Sequence, residues 1–310
     1  MVENIVDLSD LFGQRPDTLL VIGNGFDLDL GLKTSYRDFF DSGLWPFQYH
    51  NGVDGLSGFL NEKREREKWF DLEAALADYA VRKSKECSQQ QSYAYCLDSD
   101  LTDYDTLVKS LAEYLKQIEM SDIDDTSIAA KVLRCCCDAD EEPTVFSFNY
   151  TDLFRISQKL GLCSLSHVHY VHGSLDTGII LGFDDRSDVG KLSFMRKIHR
   201  PEYVSSGIVD AMRMAQNAFF FGLSFEPIDY NIYFKQLFEY CSTLATDKKY
   251  IRIITYDEDS RQHILGNIGE CLNGLYQNHD FRVICTQGET YRREFQNLYS
   301  VIAPEMNIDV

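Results

Sequence analysis

The sequence predicts an α/β protein built on a mainly parallel sheet, with helices on both faces and a helical insertion. Two observations carry that prediction. Short apolar runs recur and stop at a turn-forming or polar residue: Leu19–Ile22 before Gly23, Val145–Phe148 before Asn149, Ala218–Phe221 before Gly222. Between them lie stretches with apolar residues at helical spacing, such as Tyr230, Tyr233, Phe234, Leu237 and Phe238. Strands alternating with helices are the pattern of a parallel sheet covered on both sides.

Leu19–Ile22 reads as a buried strand that runs into Gly23-Asn24-Gly25, and Asp27–Phe40 carries Leu28, Leu30, Leu32, Tyr36, Phe39 and Phe40 for helical turns. Glycine has no Cβ, so such a turn lets backbone N–H groups approach a phosphate. It also serves a tight strand-to-helix connection with no ligand, and the third glycine of the usual dinucleotide fingerprint is missing. From residue 41 the character changes. A mixed-charge run, Glu62–Lys68, has the pattern of a solvated helix face. Trp69, Leu72, Leu76 and Tyr79 then form one helical stripe, and Leu101, Tyr104, Leu107, Leu111, Leu115 and Ile118 another, with a third segment at Thr126–Cys137. Residues 41–140 are therefore read as a mostly helical insertion without a sheet strand. Residues 1–40 and 141–310 form the α/β domain, and the insertion is the candidate for control or for homo-oligomer formation.

The sheet resumes at Pro143–Asn149, and Asp152–Leu160 reads as a short helix. Ser166–Gly173 alternates histidines with apolar residues, which suits a strand with His167, His169 and His172 near its end. Ile179–Leu181 is a further apolar run, and Ala211–Asn217 is helical in composition. After Ala218–Phe221, Pro227 suits the first turn of a helix. Tyr250–Tyr256 is another strand, with Asp257 or Asp259 as cap of the helix through Ile264 and Ile268. Phe281–Cys285 is the last strand, before a helix containing Tyr291, Phe295 and Leu298.

The chain has 310 residues and a formal charge of −19, from 30 Lys+Arg against 49 Asp+Glu. So acidic a surface repels a phosphate backbone, which disfavours broad nucleic-acid binding. The nine cysteines are odd in number, three are adjacent at Cys135–Cys137, and no C-x-x-C pair occurs. That speaks for reduced thiols over a disulfide framework or a zinc ribbon. The N-terminus lacks a basic region followed by an apolar run, and no segment is apolar enough to span a membrane. A cytoplasmic location is the expectation.

In parallel sheets ligands bind beyond the carboxyl ends of the strands. Asn24, Asp27, Asn149, His172, Ser224 and Asp229 all fall at or just past such ends, although Asp229 equally suits a helix cap or dipole partner. His167 and His169 with Asp176 or Asp184 lack any recognised metal-ligand spacing, so no metal is expected.

With these residues in hand, the chain resembles the AbiH family of bacterial abortive-infection proteins. The matching pieces are Ile22–Asp27 with Ser35-Tyr36 and Phe39, Trp69 with Asp71-Leu72-Glu73, Phe148-Asn149-Tyr150-Thr151, His172-Gly173, and Gly222-Leu223-Ser224 with Asp229-Tyr230. Those pieces are in turn similar to the sirtuin-type NAD-binding fold. Gly23-Asn24-Gly25-Phe26-Asp27 followed by Gly31-Leu32 resembles the sirtuin glycine turn, Asn149 and His172-Gly173 its asparagine and catalytic His-Gly, and Gly222-Leu223-Ser224 its Gly-Thr-Ser turn. The sirtuin zinc cysteines are missing, Thr151 or Asp152 replaces the aspartate after the asparagine, and the acetyl-lysine segment has no counterpart. Neither a structural zinc nor protein deacetylation is implied.

The resemblance implies a sirtuin-like, Rossmann-type sheet and an anti-phage effector that hydrolyses NAD at its nicotinamide–ribose bond, an NAD glycohydrolase. Cleavage develops positive charge on the ribose, as in other glycoside cleavages. Asn149 is then expected to hold a water or a ribose hydroxyl. His172 is the expected base, because imidazole with a pKa near ~6.5 is partly neutral at cytosolic pH. Gly23 and Gly25 would cradle the pyrophosphate, Asp27 would bond a ribose or the nicotinamide amide, and Ser224 would contact the adenosine side. Asn24, Phe26, Tyr36, Gly222 and Asp229 complete the expected binding set. NAD is the expected partner, beside an unidentified phage trigger. A sensor that binds NAD or ADP-ribose without turnover is the second class of reading, and a metal-dependent nuclease using the histidines is a third.

Overall fold

The computed structural model describes residues 18–49, 55–66, 71–87, 94–118, 122–137, 142–162, 165, 168–183, 189–197, 207–225, 229–243 and 248–287. Trp69, His167, Asp184, Pro227 and the expected helix at Tyr291–Leu298 lie outside them. In chain order the described elements begin with β1 (Thr18–Ile22), α1 (Asn24–Asp29), α2 (Tyr36–Asp41), α3 (Gly55–Arg66), α4 (Leu72–Cys87), α5 (Ala94–Lys116) and α6 (Ile128–Cys137). There follow β2 (Thr144–Ser147), α7 (Leu153–Lys159), β3 (Val168–Tyr170), β4 (Gly173–Ser174), β5 (Gly178–Ile179), a 3-10 turn (Gly190–Met195), α8 (Ile208–Met214) and β6 (Asn217–Phe221). A π-helical turn (Tyr230–Phe234) leads into α9 (Lys235–Thr243), then β7 (Tyr250–Thr255), α10 (Glu258–Ile268), α11 (Leu272–Asn278) and β8 (Asp280–Cys285). Two compact units result, one of Met1–Leu32, Met120–Val171 and Ser205–Val310, the other of Lys33–Glu119 and His172–Val204.

The first unit holds a six-stranded sheet in the order β3-β2-β1-β6-β7-β8, every neighbouring pair parallel. Counted along the chain without β4 and β5, which lie outside this sheet, the order is 3-2-1-4-5-6, the doubly wound arrangement of Rossmann-like sheets. All five residues of β1 and all five of β6 are buried. Successive side chains of a strand point to opposite faces, so both faces are covered, as the unbroken apolar runs require. Beyond β6 the core is aromatic: Phe225 packs against Phe234 (ring centroids 4.8 Å apart) and against Phe220 and Phe238.

Local signals place the helix ends. Asp152 caps α7 by accepting the Phe154 and Arg155 N–H groups, and Asp257, not Asp259, caps α10 by accepting from Ser260 N–H. Gly31, at φ +85°, ends α1, with Leu32 N–H bonded to Asp27 C=O.

The second unit contains α2 to α5, the 3-10 turn and the antiparallel pair β4–β5. The apolar run at Ile179–Leu181 contributes only its first residue to a strand, Gly178–Ile179, which pairs with β4 and is separate from the main sheet. Gly173, at φ +75°, accounts for the reversal there: a Cβ on it would lie 2.1 Å from the Gly178 carbonyl oxygen. Two further bounds differ from the sequence reading. The helix expected at Ala211–Asn217 spans Ile208–Met214, because Asn217 already pairs with Tyr250 as the first residue of β6. The helix carrying the stripe that begins at Leu101 starts seven residues earlier, at Ala94. Among the described residues of 41–140 there is no strand.

Candidate active site

In the doubly wound order the topological switch point falls between β1 and β6, where the connections turn to opposite sides of the sheet. Both strands are followed there directly by glycine, Gly23 after β1 and Gly222 after β6. Gly23 N–H donates to Phe221 C=O (2.9 Å) and Gly25 N–H to Gly222 C=O (3.0 Å), so the turn after β1 is hydrogen-bonded to the end of β6. A Cβ on Gly25 would lie 2.6 Å from Gly222 Cα, and one on Gly23 2.8 Å from the Gly222 carbonyl oxygen. The glycines are required by this backbone-to-backbone approach. It also commits the Gly23 and Gly25 N–H groups to protein carbonyls, and the Phe26 N–H donates to Gly23 C=O (2.9 Å), so these three donors are not presented to a phosphate. Asn24 is exposed, Gly25 half-buried and Phe26 buried edge-on against Phe221.

Polar side chains from the β2 end complete the site. Asn149, 6% exposed, donates through Nδ2 to Gly23 C=O (3.0 Å), and its own N–H is held by Ser147 Oγ (3.2 Å). Two residues on, the Thr151 hydroxyl donates to Asp27 Oδ2 (2.8 Å). Asp27 projects from α1 and is 1% exposed, and its other oxygen, Oδ1, is buried without a hydrogen-bond partner. Burial pushes its carboxyl up to about 7, and the Thr151 hydroxyl and the nearby Asn149 side chain offset only part of that rise. Ser224 is exposed beyond β6, and Asp229 is half-buried at the start of the π-helical turn, to which its side chain gives no cap.

Two expected residues belong to the second unit. Tyr36 is the half-buried first residue of α2. His172 (4% exposed) precedes β4, and its carbonyl accepts from Ile180 N–H (2.8 Å). Its ring nitrogens Nε2 and Nδ1 lie 3.2 and 3.4 Å from Lys197 Nζ. Lys197 (1% exposed) also bonds Glu73 Oε2 at 2.8 Å. The lysine is fixed by its backbone: Lys197 N–H donates to Phe183 C=O (3.1 Å) and Phe183 N–H to Met195 C=O (3.2 Å). An ammonium only donates, so a ring nitrogen bonded to it must accept. Lys197 was not singled out from sequence, because a lone lysine after Met195 and Arg196 carries no spacing signal.

His169 is exposed and stacks on Phe146 (4.8 Å), and among the described residues no group of three His, Cys, Asp or Glu is gathered to hold a metal.

Fold and site together define a Rossmann-like α/β protein with a glycine-paired switch point bordered by a buried carboxyl and amide. Residues 19–251 match the family described as Bacteriophage abortive infection AbiH. The chain belongs to that family. A search of curated proteins found no match. Among the described residues no helix is long and apolar enough to cross a membrane.

Proposed function

We propose that this AbiH protein acts in phage abortive infection by hydrolysing NAD at the nicotinamide–ribose bond, at the carboxyl ends of β1, β2 and β6. The observation that supports this is the meeting of the Gly23–Gly25 turn and Gly222 at the switch point with Asn149 and Asp27 beside it. Doubly wound sheets take dinucleotides at this position. A carboxyl and a side-chain amide there suit a reaction whose transition state carries positive charge on the ribose. Asn149, held by Gly23 C=O and Ser147, is the rigid amide that orients the ribose or the attacking water. The reading includes a cytoplasmic location, where NAD is available, and an activity silent until a phage component appears.

Incubating the full chain with NAD, with and without extract of phage-infected cells, tests it. Nicotinamide and ADP-ribose in equal amounts are expected with the infected-cell extract. No turnover under either condition, beyond that of the extract alone, overturns the reading.

A second reading, a sensor that binds NAD or ADP-ribose without turnover, draws on one observation. The Gly23 and Gly25 amides and the His172 ring are already engaged within the protein. Calorimetric binding without product, unaffected by His172→Ala, would favour it.

A further inference from the structure

Asp27 is a buried titratable group of the first unit whose packing leaves one carboxyl oxygen over. Its environment is built by two chain segments 124 residues apart, and only one carboxyl oxygen is used: Oδ2 accepts the Thr151 hydroxyl at 2.8 Å. Oδ1 is buried and has no partner. The adjacent Asn149 amide spends one N–H on Gly23 C=O and, with the Thr151 hydroxyl, favours the carboxylate only in part; among the described residues no salt bridge reaches Asp27 and no charged neighbour shifts it. An ionised carboxylate in this position is costly without a cation or a further donor. Buried carboxyl oxygens are ordinarily hydrogen-bonded, and where Asp100 in the second unit also leaves one oxygen over, its other oxygen takes two donors, the Tyr79 hydroxyl and the Leu56 N–H.

We propose that Asp27 is the general base of the hydrolysis, its oxygen Oδ1 taking the proton of the water that attacks C1′ of the nicotinamide ribose. The inference rests on the NAD-hydrolase reading. In this step the water oxygen bonds to C1′ and the C1′–N bond breaks. The bonding electron pair leaves with nicotinamide, whose ring nitrogen becomes neutral. The water proton passes to Oδ1 and is released to solvent after the product, ADP-ribose, departs. The Thr151 hydroxyl orients the carboxyl by holding Oδ2, and Asn149 holds the sugar or the water. Burial supports the role, since a base works best with a pKa near the ambient pH, and this carboxyl stands at about 7. The rival base, His172, has both ring nitrogens against the Lys197 ammonium.

The test is nicotinamide release by the full chain from pH 5 to 9, activated by infected-cell extract, with ADP-ribose binding followed by calorimetry and folding by thermal melting. For the wild type, kcat/KM should fall below about pH 7. Asp27→Asn should bind ADP-ribose and melt cooperatively, yet lose roughly 10²–10⁴-fold in kcat and lose the acid limb. His172→Gln should keep that limb. Thr151→Val removes a hydrogen bond that favours the carboxylate, so it should move the limb to higher pH, and this second variant decides the matter if Asp27→Asn fails to fold. A folded Asp27→Asn that keeps its rate and its acid limb overturns the inference and leaves the hydrolase reading standing, as does an unmoved limb in Thr151→Val. A wild type that binds ADP-ribose and releases no nicotinamide overturns the hydrolase reading itself, and the inference with it.

Discussion

Gly25 and Gly222 meet backbone to backbone, close enough that a Cβ on Gly222 would lie 2.3 Å from the Phe26 amide nitrogen and 2.5 Å from Gly25 Cα. Gly222 also sits at φ +68°, where any Cβ is strained. Gly222→Ala should therefore cost about 3 kcal/mol or more, from steric displacement of the β1 turn added to the backbone strain. Gly43→Ala is the control, since nothing lies within 4 Å of the Cβ it would add. Urea unfolding of the two variants measures the contrast, and equal midpoints would contradict the close approach.

The buried carboxyl of Asp27 makes stability depend on pH. Its folded-state value is raised from 3.8 to about 7, so the folded protein holds a proton that the unfolded chain gives up. The resulting stabilisation is complete below pH 3.8 and drains away as pH rises to about 7. At about 1.4 kcal/mol per unit, the loss approaches roughly 4 kcal/mol. Asp27→Asn has no such proton. It should gain stability relative to the wild type between pH 4 and 8, in parallel with its expected loss of turnover. Chemical denaturation at several pH values gives the comparison, and a constant difference would refute it.

At the other end of β8, His279 behaves in the opposite sense. Burial, with the nearby Lys249 ammonium, lowers its pKa against the raising effect of Cys241 C=O. Its Nδ1 accepts the Lys249 backbone N–H at 3.2 Å, so the neutral ring protonated on Nε2 fits, with Nε2 donating to Cys241 C=O at 2.7 Å. For a lowered histidine the contribution is full above the unfolded value of 6.5 and is lost as pH falls through the folded one. His279→Gln should flatten the loss of stability from pH 7.5 towards pH 5. A variant as acid-sensitive as the wild type would show that another group is responsible.

In the second unit the test falls on Glu73. It pairs with the deeply buried Lys197 and is itself partly exposed. Removing its charge takes an anion from beside a buried ammonium that keeps its contact with the His172 ring, and Glu73→Gln should cost about 2–3 kcal/mol, somewhat under the usual figure for a fully buried pair. The double variant Glu73→Gln/Lys197→Met should recover part of that loss, because the buried ammonium is removed together with its anion. Double-mutant-cycle melts provide the measurement, and simple additivity would count against the pairing.

The main strands were legible because a strand covered on both faces must be apolar at every position. Leu19–Ile22 and Ala218–Phe221 could be little else. β3 was harder, with three residues of half-buried or exposed character, and β4–β5 is too short to have a periodicity at all. Within the site, the sequence marked Gly23, Gly25, Asp27, Asn149 and Gly222 through their positions at strand ends. What it withheld were the partnerships. Thr151 bonds Asp27 across 124 residues, and Lys197 meets Glu73 across the same interval. Local spacing carries no trace of such contacts. Nor could it say that the glycines' N–H groups are taken up by the neighbouring strand, since the same Gly-x-Gly serves a phosphate or a carbonyl equally well.

The central position of β1 has a consequence for how the protein is made. β1 leaves the ribosome first among the strands, yet its neighbours on either edge are β2 and β6, encoded far downstream. At bacterial synthesis rates of about 5–20 residues per second, Asp27 waits on the order of ten seconds for Thr151, and Gly25 longer still for Gly222. No shortened or half-synthesised chain that stops before β6 can assemble the switch point. The switch point, and the Asp27–Thr151 contact beside it, are therefore complete only once translation has passed β6.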